Sequence, residues 1–314
     1  MKRRNFINTG INFGTLLLIA PHLISCKGKS PEEIKEVIKK SSTMFAESDT
    51  YTITNVAGNI YTFEEKGGTI GFYVTEETIV VIDTQFPEQS NNLLSAVAEH
   101  STSKVDLLIN THHHGDHTGG NIAFKDKVGM HIAHENSLKN QKRVAEERGL
   151  ENQLYPSMTF STDRSYSKGD LRMKLNYYGP AHTDGDIVSF FVNENVAHMG
   201  DLIFNRRFPY IDKTSGANIK NWISVLDKTL HSFDAETKYI FGHSSNGFDV
   251  RGTSEDIKAF QNYLEKLLEF GMANIKAGKS LDDVKKDTKI IPGAEEWKGK
   301  GIERSLDAVY EELS

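Results

Sequence analysis

The sequence predicts one α/β sandwich domain that is followed by a helical extension. Segments of alternating residues and short apolar runs, which are typical of strands, are concentrated after residue 50, whereas amphipathic helical segments close the chain. The 314 residues, 38% hydrophobic and 25% charged, are enough for a sizeable core. We find no internal repeat with a period of about 20–50 residues, which argues against a solenoid or a propeller.

The beginning of the chain is typical of an export signal. Residues 2–4 are basic, an apolar run follows, and a small residue precedes Cys26. The apolar run is shorter than the roughly 20 residues of a membrane span. Residues 23–26 resemble a bacterial lipobox, and residues 3–7 resemble a twin-arginine signal. A plain Sec signal and an uncleaved anchor are the alternatives.

The only cysteine of the chain is Cys26, so no internal disulfide can form. The lipobox resemblance implies that Cys26 carries a lipid, which would anchor the protein in the periplasm or at the cell surface. We therefore expect a signal peptide over residues 1–25 and a spacer over residues 26–50. The spacer should contain a helix that begins at Ser30 and Pro31, since serine caps helices and proline suits the first helical position.

The body of the chain contains the predicted sandwich. Alternation and short apolar runs predict strands at residues 52–56, 59–63, 69–74, 78–82, 105–110, 171–177, 187–192, 196–199 and 238–241. Amphipathic patterns predict helices at residues 90–100, 137–149, 218–233, 254–277 and 302–313. We expect a catalytic domain over residues 51–250 and the helical extension over residues 251–314.

The charge of the chain disfavours a nucleic-acid partner. The net charge is −6, and residues 1–25 contain three basic residues and no acid, so the remainder has a net charge of −9. A phosphate backbone is bound by clustered lysines and arginines, which so acidic a body does not suggest. We expect a small-molecule substrate; nothing in the sequence indicates the oligomeric state.

The most informative segment is THHHGDHTGG at residues 111–120, which directly follows a predicted strand. Neutral imidazole and carboxylate groups are typical zinc ligands. In an extended stretch His112 and His114 point to one side, whereas His113 points away. The turn at Gly115 can then bring the next two polar residues of the segment to a second metal ion.

Residues this close in sequence cannot complete two coordination spheres, so further ligands must come from distant segments. Loops at strand ends commonly carry functional residues. His182, Asp201 and His243 each follow a predicted strand. The sequence therefore predicts a two-metal site built from seven residues: His112, His114, Asp116, His117, His182, Asp201 and His243.

The motif His112-x-His114-x-Asp116-His117, followed by the three distant residues, resembles the metallo-β-lactamase superfamily over residues 52–247. The resemblance implies a four-layer αβ/βα sandwich with the site at one edge of its two sheets. It implies a first metal bound by His112, His114 and His182, a second bound by Asp116, His117 and His243, and Asp201 bridging both. Asp83 is similar to the family's aspartate that supports the histidine loop, and Asp116 is expected to orient the attacking hydroxide or carry its proton.

The same resemblance implies a metal-dependent hydrolase with two zinc ions per chain, iron or manganese being alternatives. A metal-bridging hydroxide would open a lactone, ester, thioester or lactam. Asp201 resembles the bridging residue of glyoxalase II and the acyl-homoserine lactonases, whereas the β-lactamase branches typically have a cysteine near position 201 or a serine where Leu202 stands. A class B-like metallo-β-lactamase, a mononuclear-iron sulfur dioxygenase and a non-catalytic binding lipoprotein are the alternatives.

Several polar residues near the motif match no ligand position. His113 is expected in the wall of the site, and His131, His134 and His198 in packing or on the surface. Asp184 and Asp186 either orient His182 or belong to a turn, and Tyr210 and Asp212 either line the pocket or pack.

Overall fold

A computed structural model describes residue 45 and residues 48–314. The predicted signal peptide, Cys26 and the predicted N-terminal helix lie outside the described residues. None of the helices in the described part of the chain combines the length and the apolar character that a bilayer crossing requires.

The described residues form fifteen strands and seven helices. The strands are β1 (Thr52–Ala57), β2 (Ile60–Glu64), β3 (Ile70–Val74), β4 (Ile79–Ile82), β5 (Val105–Ile109), β6 (Val128–His134), β7 (Met158–Phe160), β8 (Arg164–Lys168), β9 (Leu171–Asn176), β10 (Val188–Phe191), β11 (Val196–His198), β12 (Phe204–Asn205), β13 (Lys238–Ile240), β14 (His243–Ser244) and β15 (Arg251–Gly252). The helices are α1 (Pro87–Ala98), α2 (Gly115–Thr118), α3 (Glu135–Arg148), α4 (Ile219–Ser232), α5 (Ser254–Lys276), α6 (Leu281–Asp287) and α7 (Ile302–Leu313). Three 3₁₀ turns cover Gly119–Phe124, Gly200–Leu202 and Lys213–Ser215.

Two sheets form the centre of the fold. The first has the order β1-β2-β3-β4-β5-β6-β7 and the second the order β15-β13-β11-β10-β9-β8. Strands β4, β5, β6 and β7 run parallel to one another in the first sheet, and β11 runs parallel to β13 in the second. Parallel neighbours place their carboxyl ends at one edge of a sheet, where ligand sites commonly lie.

Three apolar cores separate four layers, which confirms the predicted αβ/βα sandwich. Between the sheets, Val80 and Ile109 of the first pack with Phe191 and Ile240 of the second. The other face of the first sheet packs on α1, and the other face of the second packs on α4, α5 and α7. Burial of a helical stripe against a sheet is what gives each outer layer its stability.

The structure corrects several element boundaries. Helix α1 begins at Pro87, three residues before the predicted start, because proline suits the first helical position. Strands β6, β7 and β8 were not predicted from the sequence. β8 exposes most of its side chains at the edge of the second sheet and so lacks an apolar face. Residues 251–252, which we assigned to the extension, pair with β13 as β15.

The extension shares its core with the second sheet, and Leu267 tests this packing. Leu267 on α5 is fully buried in the core that also contains Trp222 of α4. We expect Leu267→Ala to lower the free energy of unfolding by about 2–5 kcal/mol, because it removes buried methyl groups and leaves a cavity. Urea unfolding measures the change. Met272→Ala on the same helix is the control: Met272 is 56% exposed and should change stability by no more than about 0.5 kcal/mol.

Candidate metal centre

The seven predicted ligand residues meet at the edge of the sandwich where the parallel strands end. His112 and His114 follow β5, and Asp116 and His117 lie in α2. Asp201 lies in the 3₁₀ turn after β11, and His243 begins β14 directly after β13. His182 enters from the loop between β9 and β10. Backbone hydrogen bonds between the sheets, from Thr69 N to Gly242 O (2.9 Å) and from Ile187 N to Thr111 O (3.0 Å), hold the two halves of the site together.

One group of potential ligand atoms contains three imidazoles and a carboxylate. His114 Nδ1 lies 3.1 Å from His112 Nε2 and 2.9 Å from His182 Nε2. Asp201 Oδ2 lies 3.8 Å from His112 Nε2 and 3.5 Å from His182 Nε2. All four ligand atoms lie within 4.8 Å of one another, so the group could hold one metal ion.

A second group lies on the other side of Asp201. It contains Asp116, His117 and His243, and its ligand atoms also lie within 4.8 Å of one another. Asp116 Oδ2 is 3.1 Å from His243 Nε2. Asp201 Oδ1 is 3.0 Å from His117 Nε2, and its Oδ2 is 3.5 Å from His243 Nε2. The Asp201 carboxylate thus lies between the two groups.

In the first group, each histidine forms a hydrogen bond through the ring nitrogen that faces away from the site. This bond fixes the position of the ring proton. The Thr111 hydroxyl donates to Asp83 (2.7 Å), so it can only accept from His112 Nδ1 (3.0 Å). His182 Nδ1 donates to the carbonyl of Tyr210 at 2.6 Å, since a carbonyl can only accept. His114 Nε2 donates to the Asp212 carboxylate at 3.0 Å. In the neutral rings, the nitrogens that face one another therefore carry lone pairs.

This convergence of lone pairs fits a bound cation. Unprotonated nitrogens about 3 Å apart repel one another, and a metal ion between them converts the repulsion into coordination. Burial, together with the neighbouring histidines, holds the pKa of His112 well below its usual value. The pKa of His182 falls to about 3, again because of burial and then of His114. Both rings are therefore neutral at pH 7, which is the protonation state that binds metal.

The carboxylates give the site a negative field. Burial would raise the pKa of Asp201, but His243 and His117 outweigh it and hold that pKa well below its usual value. For His117 the signs are reversed: burial alone would lower its pKa, but Asp201, Asp116 and Asp83 raise that pKa well above its usual value. A buried site that stabilises positive charge in this way suits divalent cations.

Asp83 lies beneath the histidine loop and forms hydrogen bonds with it. It is fully buried at the end of β4 and accepts hydrogen bonds from Thr111 N (2.8 Å) and His117 Nδ1 (2.8 Å). Its backbone has a φ of 65°, a left-handed conformation that costs a non-glycine residue about 1–3 kcal/mol. Such a cost at a buried carboxylate is typical of functional sites.

The structure decides the roles that the sequence left open. Asp212 bonds His114, and the carbonyl of Tyr210 bonds His182. Asp186 accepts instead from Thr183 N (2.6 Å), and Asp184 Oδ1 accepts from Asn140 (2.7 Å), so these two acids belong to the turn. His113, His131, His134 and His198 are buried, and His113 Nε2 lies 3.1 Å from the hydroxyl of Ser215 in the wall of the site.

Asp212 should tune the affinity of the first group for metal. We expect Asp212→Asn to weaken zinc binding by about 10- to 100-fold, because the hydrogen bond from His114 Nε2 would lose its charged acceptor. Competition with a chelating dye measures the affinity. Asp282→Asn, an exposed acid at the start of α6, is the control and should leave the affinity unchanged. Equal affinities in both variants would exclude a role of Asp212 at the site.

A cavity of about 660 Å³ opens above the two groups. His114, Asp116, Asp201 and His243 are part of its lining. The cavity walls include aromatic side chains, among them Phe86, Phe208 and Tyr210. Such a mixture of apolar walls and a few convergent polar groups is typical of small-molecule sites.

Comparison with known proteins agrees with this geometry. The family model of the metallo-β-lactamase superfamily matches residues 64–243. A metallo-β-lactamase type 2 of Bacteroides fragilis is 24% identical over 212 residues, which cover 64% of this chain and 82% of the relative.

Solved structures share the fold at lower identity. A metallo-β-lactamase from Pontibacter korlensis superposes with a TM-score of 0.58 at 18% identity, over 68% of this chain and 99% of that one. The sec-alkylsulfatase Pisa1 from Pseudomonas sp. superposes with a TM-score of 0.65 at 14% identity, over 83% of this chain and 50% of that one. The chain belongs to the metallo-β-lactamase superfamily and is a metal-dependent hydrolase.

Proposed function

We propose that the protein is a dizinc hydrolase that opens a lactone, ester or thioester. The observation that carries the proposal is the position of Asp201, whose two carboxylate oxygens face two separate groups of ligand atoms. His112, His114 and His182 would hold one ion, Asp116, His117 and His243 the other, and Asp201 would contact both.

The two ions would supply a Lewis acid and would lower the pKa of a bound water toward about 7. Asp116 is suited to accept or orient the proton of the attacking water, since its side chain is partly exposed to the cavity and lies 3.1 Å from His243 Nε2. The aromatic walls would exclude bulk water from the acyl group. Among the described residues, the lining of the cavity includes neither a serine nor a cysteine nucleophile.

A β-lactam is the second candidate substrate. The B. fragilis relative, which is named a metallo-β-lactamase, favours it. Asp201 in place of a cysteine, and Leu202 in place of the serine that is typical after the aspartate in all-histidine β-lactamases, favour the lactone, ester and thioester class instead. We therefore rank β-lactams second.

Metal analysis and a substrate panel test the proposal together. Purified protein should contain about two zinc ions per chain and should hydrolyse a homoserine lactone or a thioester faster than nitrocefin. Faster nitrocefin turnover would support the β-lactamase alternative. One iron ion per chain would indicate the dioxygenase alternative, and protein that binds no metal after zinc is supplied would contradict the hydrolase.

We further propose that the protein is exported and anchored through a lipid on Cys26. The support is the basic start, the short apolar run and the lipobox-like residues 23–26. Labelling of growing cells with a palmitate analogue should mark the wild type and not Cys26→Ser. Equal labelling of both proteins, or recovery of the wild type in the cytoplasmic fraction, would contradict the anchor.

A further inference from the structure

The cavity above the candidate metal centre has a rim whose charge is opposite to that of the chain. The chain has a net charge of −6. Four cationic side chains nevertheless line this one cavity: Arg148, Arg207, Lys300 and Arg304. They come from the end of α3, the loop after β12 and the start of α7, so three separate segments bring positive charge to one place.

We call these four cations the basic rim. They form no polar contact that would stabilise the described part of the fold. Within the described residues, none of the four side chains forms a hydrogen bond or an ion pair, and Arg304 only lies over the ring of Tyr210 at 5.9 Å. The fifth cation of the cavity, Arg143, differs because it pairs with Glu147 at 2.9 Å. Exposed charges without an internal partner remain available to a ligand.

The charge balance of the cavity favours an anion. Asp116, Asp201 and Asp212 are the carboxylates of its floor, and Glu147 pairs with Arg143, so five cationic side chains line the cavity against four carboxylates. Each divalent cation bound at the floor would add further positive charge. The side chains of Phe86, Phe208 and Tyr210 also line the cavity and offer an apolar surface. The cavity thus combines a reactive floor, an apolar wall and a cationic entrance.

Resting on the proposed hydrolase function, we propose that the substrate is an amphiphilic oxyanion. Its scissile group would lie over the floor and its apolar part against the aromatic wall. Its carboxylate or similar anionic group would be bound by Arg207, Arg304 and the neighbouring cations of the basic rim. Arginine suits this task because its planar guanidinium binds oxyanions through two parallel hydrogen bonds. The extension would then be part of the substrate site, since it supplies Lys300 and Arg304.

A binding experiment tests the basic rim without relying on turnover. The probe is naphthalene-2-sulfonate, an aromatic oxyanion, and naphthalene-2-methanol is its neutral counterpart. We expect the double variant Arg207→Gln/Arg304→Gln to bind the sulfonate about 10-fold more weakly in calorimetry, because two charge contacts are lost. The neutral compound should bind equally to wild type and variant. The difference should shrink when ionic strength rises from about 0.01 to 0.15 M.

Arg164→Gln is the matched control. Arg164 is an exposed arginine on β8 that does not line the cavity, so its replacement removes one arginine charge elsewhere on the surface. This variant should bind both probes like the wild type. Equal affinity of all three proteins for the sulfonate, or no binding of the sulfonate to the wild type, would overturn the proposal.

Kinetic measurements then distinguish substrate binding by the basic rim from the catalytic step. With 4-butanoyloxybenzoate and its methyl ester as substrates, the double variant should raise KM about 10-fold for the anionic ester alone and leave kcat within about twofold. Equal KM changes for both esters would contradict anion recognition. If the zinc-loaded wild type hydrolyses neither ester nor any member of the substrate panel, the hydrolase proposal fails, and the sulfonate affinities alone decide on the basic rim.

Discussion

Asp201→Ala should reduce the zinc content from about two ions per chain to about one and abolish most turnover. Among the residues that the structure describes, Asp201 is the one whose oxygens lie close to both ligand groups, 3.0 Å from His117 Nε2 and 3.5 Å from His182 Nε2. Loss of an outer partner of a ligand already costs about 10- to 100-fold. We therefore expect the loss of this shared carboxylate to reduce kcat/KM by more than about 100-fold.

Elemental analysis and the near-ultraviolet circular dichroism of the same sample would distinguish loss of metal from loss of fold. Asp201→Asn is the companion variant, since it keeps the size of the side chain and removes its charge. We expect it to retain the fold and to lose metal as well. Two zinc ions and unchanged turnover in Asp201→Ala would show that Asp201 does not join the two groups.

The fold class could be predicted because the apolar pattern is strong where both faces of a strand are buried. All four residues of β4 are buried, as are four of the five in β5, and both were predicted. Strand β8 could not be predicted in the same way. Its sequence, Arg-Ser-Tyr-Ser-Lys, is polar, and only pairing with β9 makes it a strand.

The candidate ligands could be predicted because histidine and aspartate are recognised directly from the sequence as typical metal ligands. Imidazoles and carboxylates that follow strands are unusual, and His182, Asp201 and His243 all have this position. The groups that hydrogen-bond these ligands from outside the site could not be recognised in the same way. Asp212 lies 98 residues after His114, and the partner of His182 is a backbone carbonyl, which any residue provides. Only the path of the loop through residue 210 shows these contacts.

Glycines near the centre show a related limit, because their importance depends on what lies opposite them. A Cβ on Gly68 would lie 2.1 Å from His117 Cε1 and 2.2 Å from its Nε2. A Cβ on Gly115 would have no neighbour within 4 Å, although Gly115 lies between two of the predicted ligands. Gly115 adjoins the predicted ligands in sequence, but the structure shows Gly68 to be the more sensitive position.

Gly68→Ala should therefore inactivate the enzyme. The His117 ring cannot move aside without losing the 2.8 Å hydrogen bond from its Nδ1 to Asp83, which fixes the ring from the other side. Displacement of a reacting geometry by about 1 Å can cost about 100-fold in rate, and overpacking a buried site costs about 1–3 kcal/mol of stability. We expect at least about a 100-fold loss of turnover and weakened binding at the second ligand group.

Gly115→Ala is the matched control for that result. It makes the same chemical change only three residues after His112, yet it adds a methyl group to open space at the start of α2. Alanine is favoured over glycine in a helix by about 0.5–1 kcal/mol, so stability should stay the same or rise slightly. Zinc content and kcat/KM of both variants decide the matter. If Gly68→Ala kept both values, or Gly115→Ala lost them, the close approach of Gly68 to His117 would not be what positions the second ligand group.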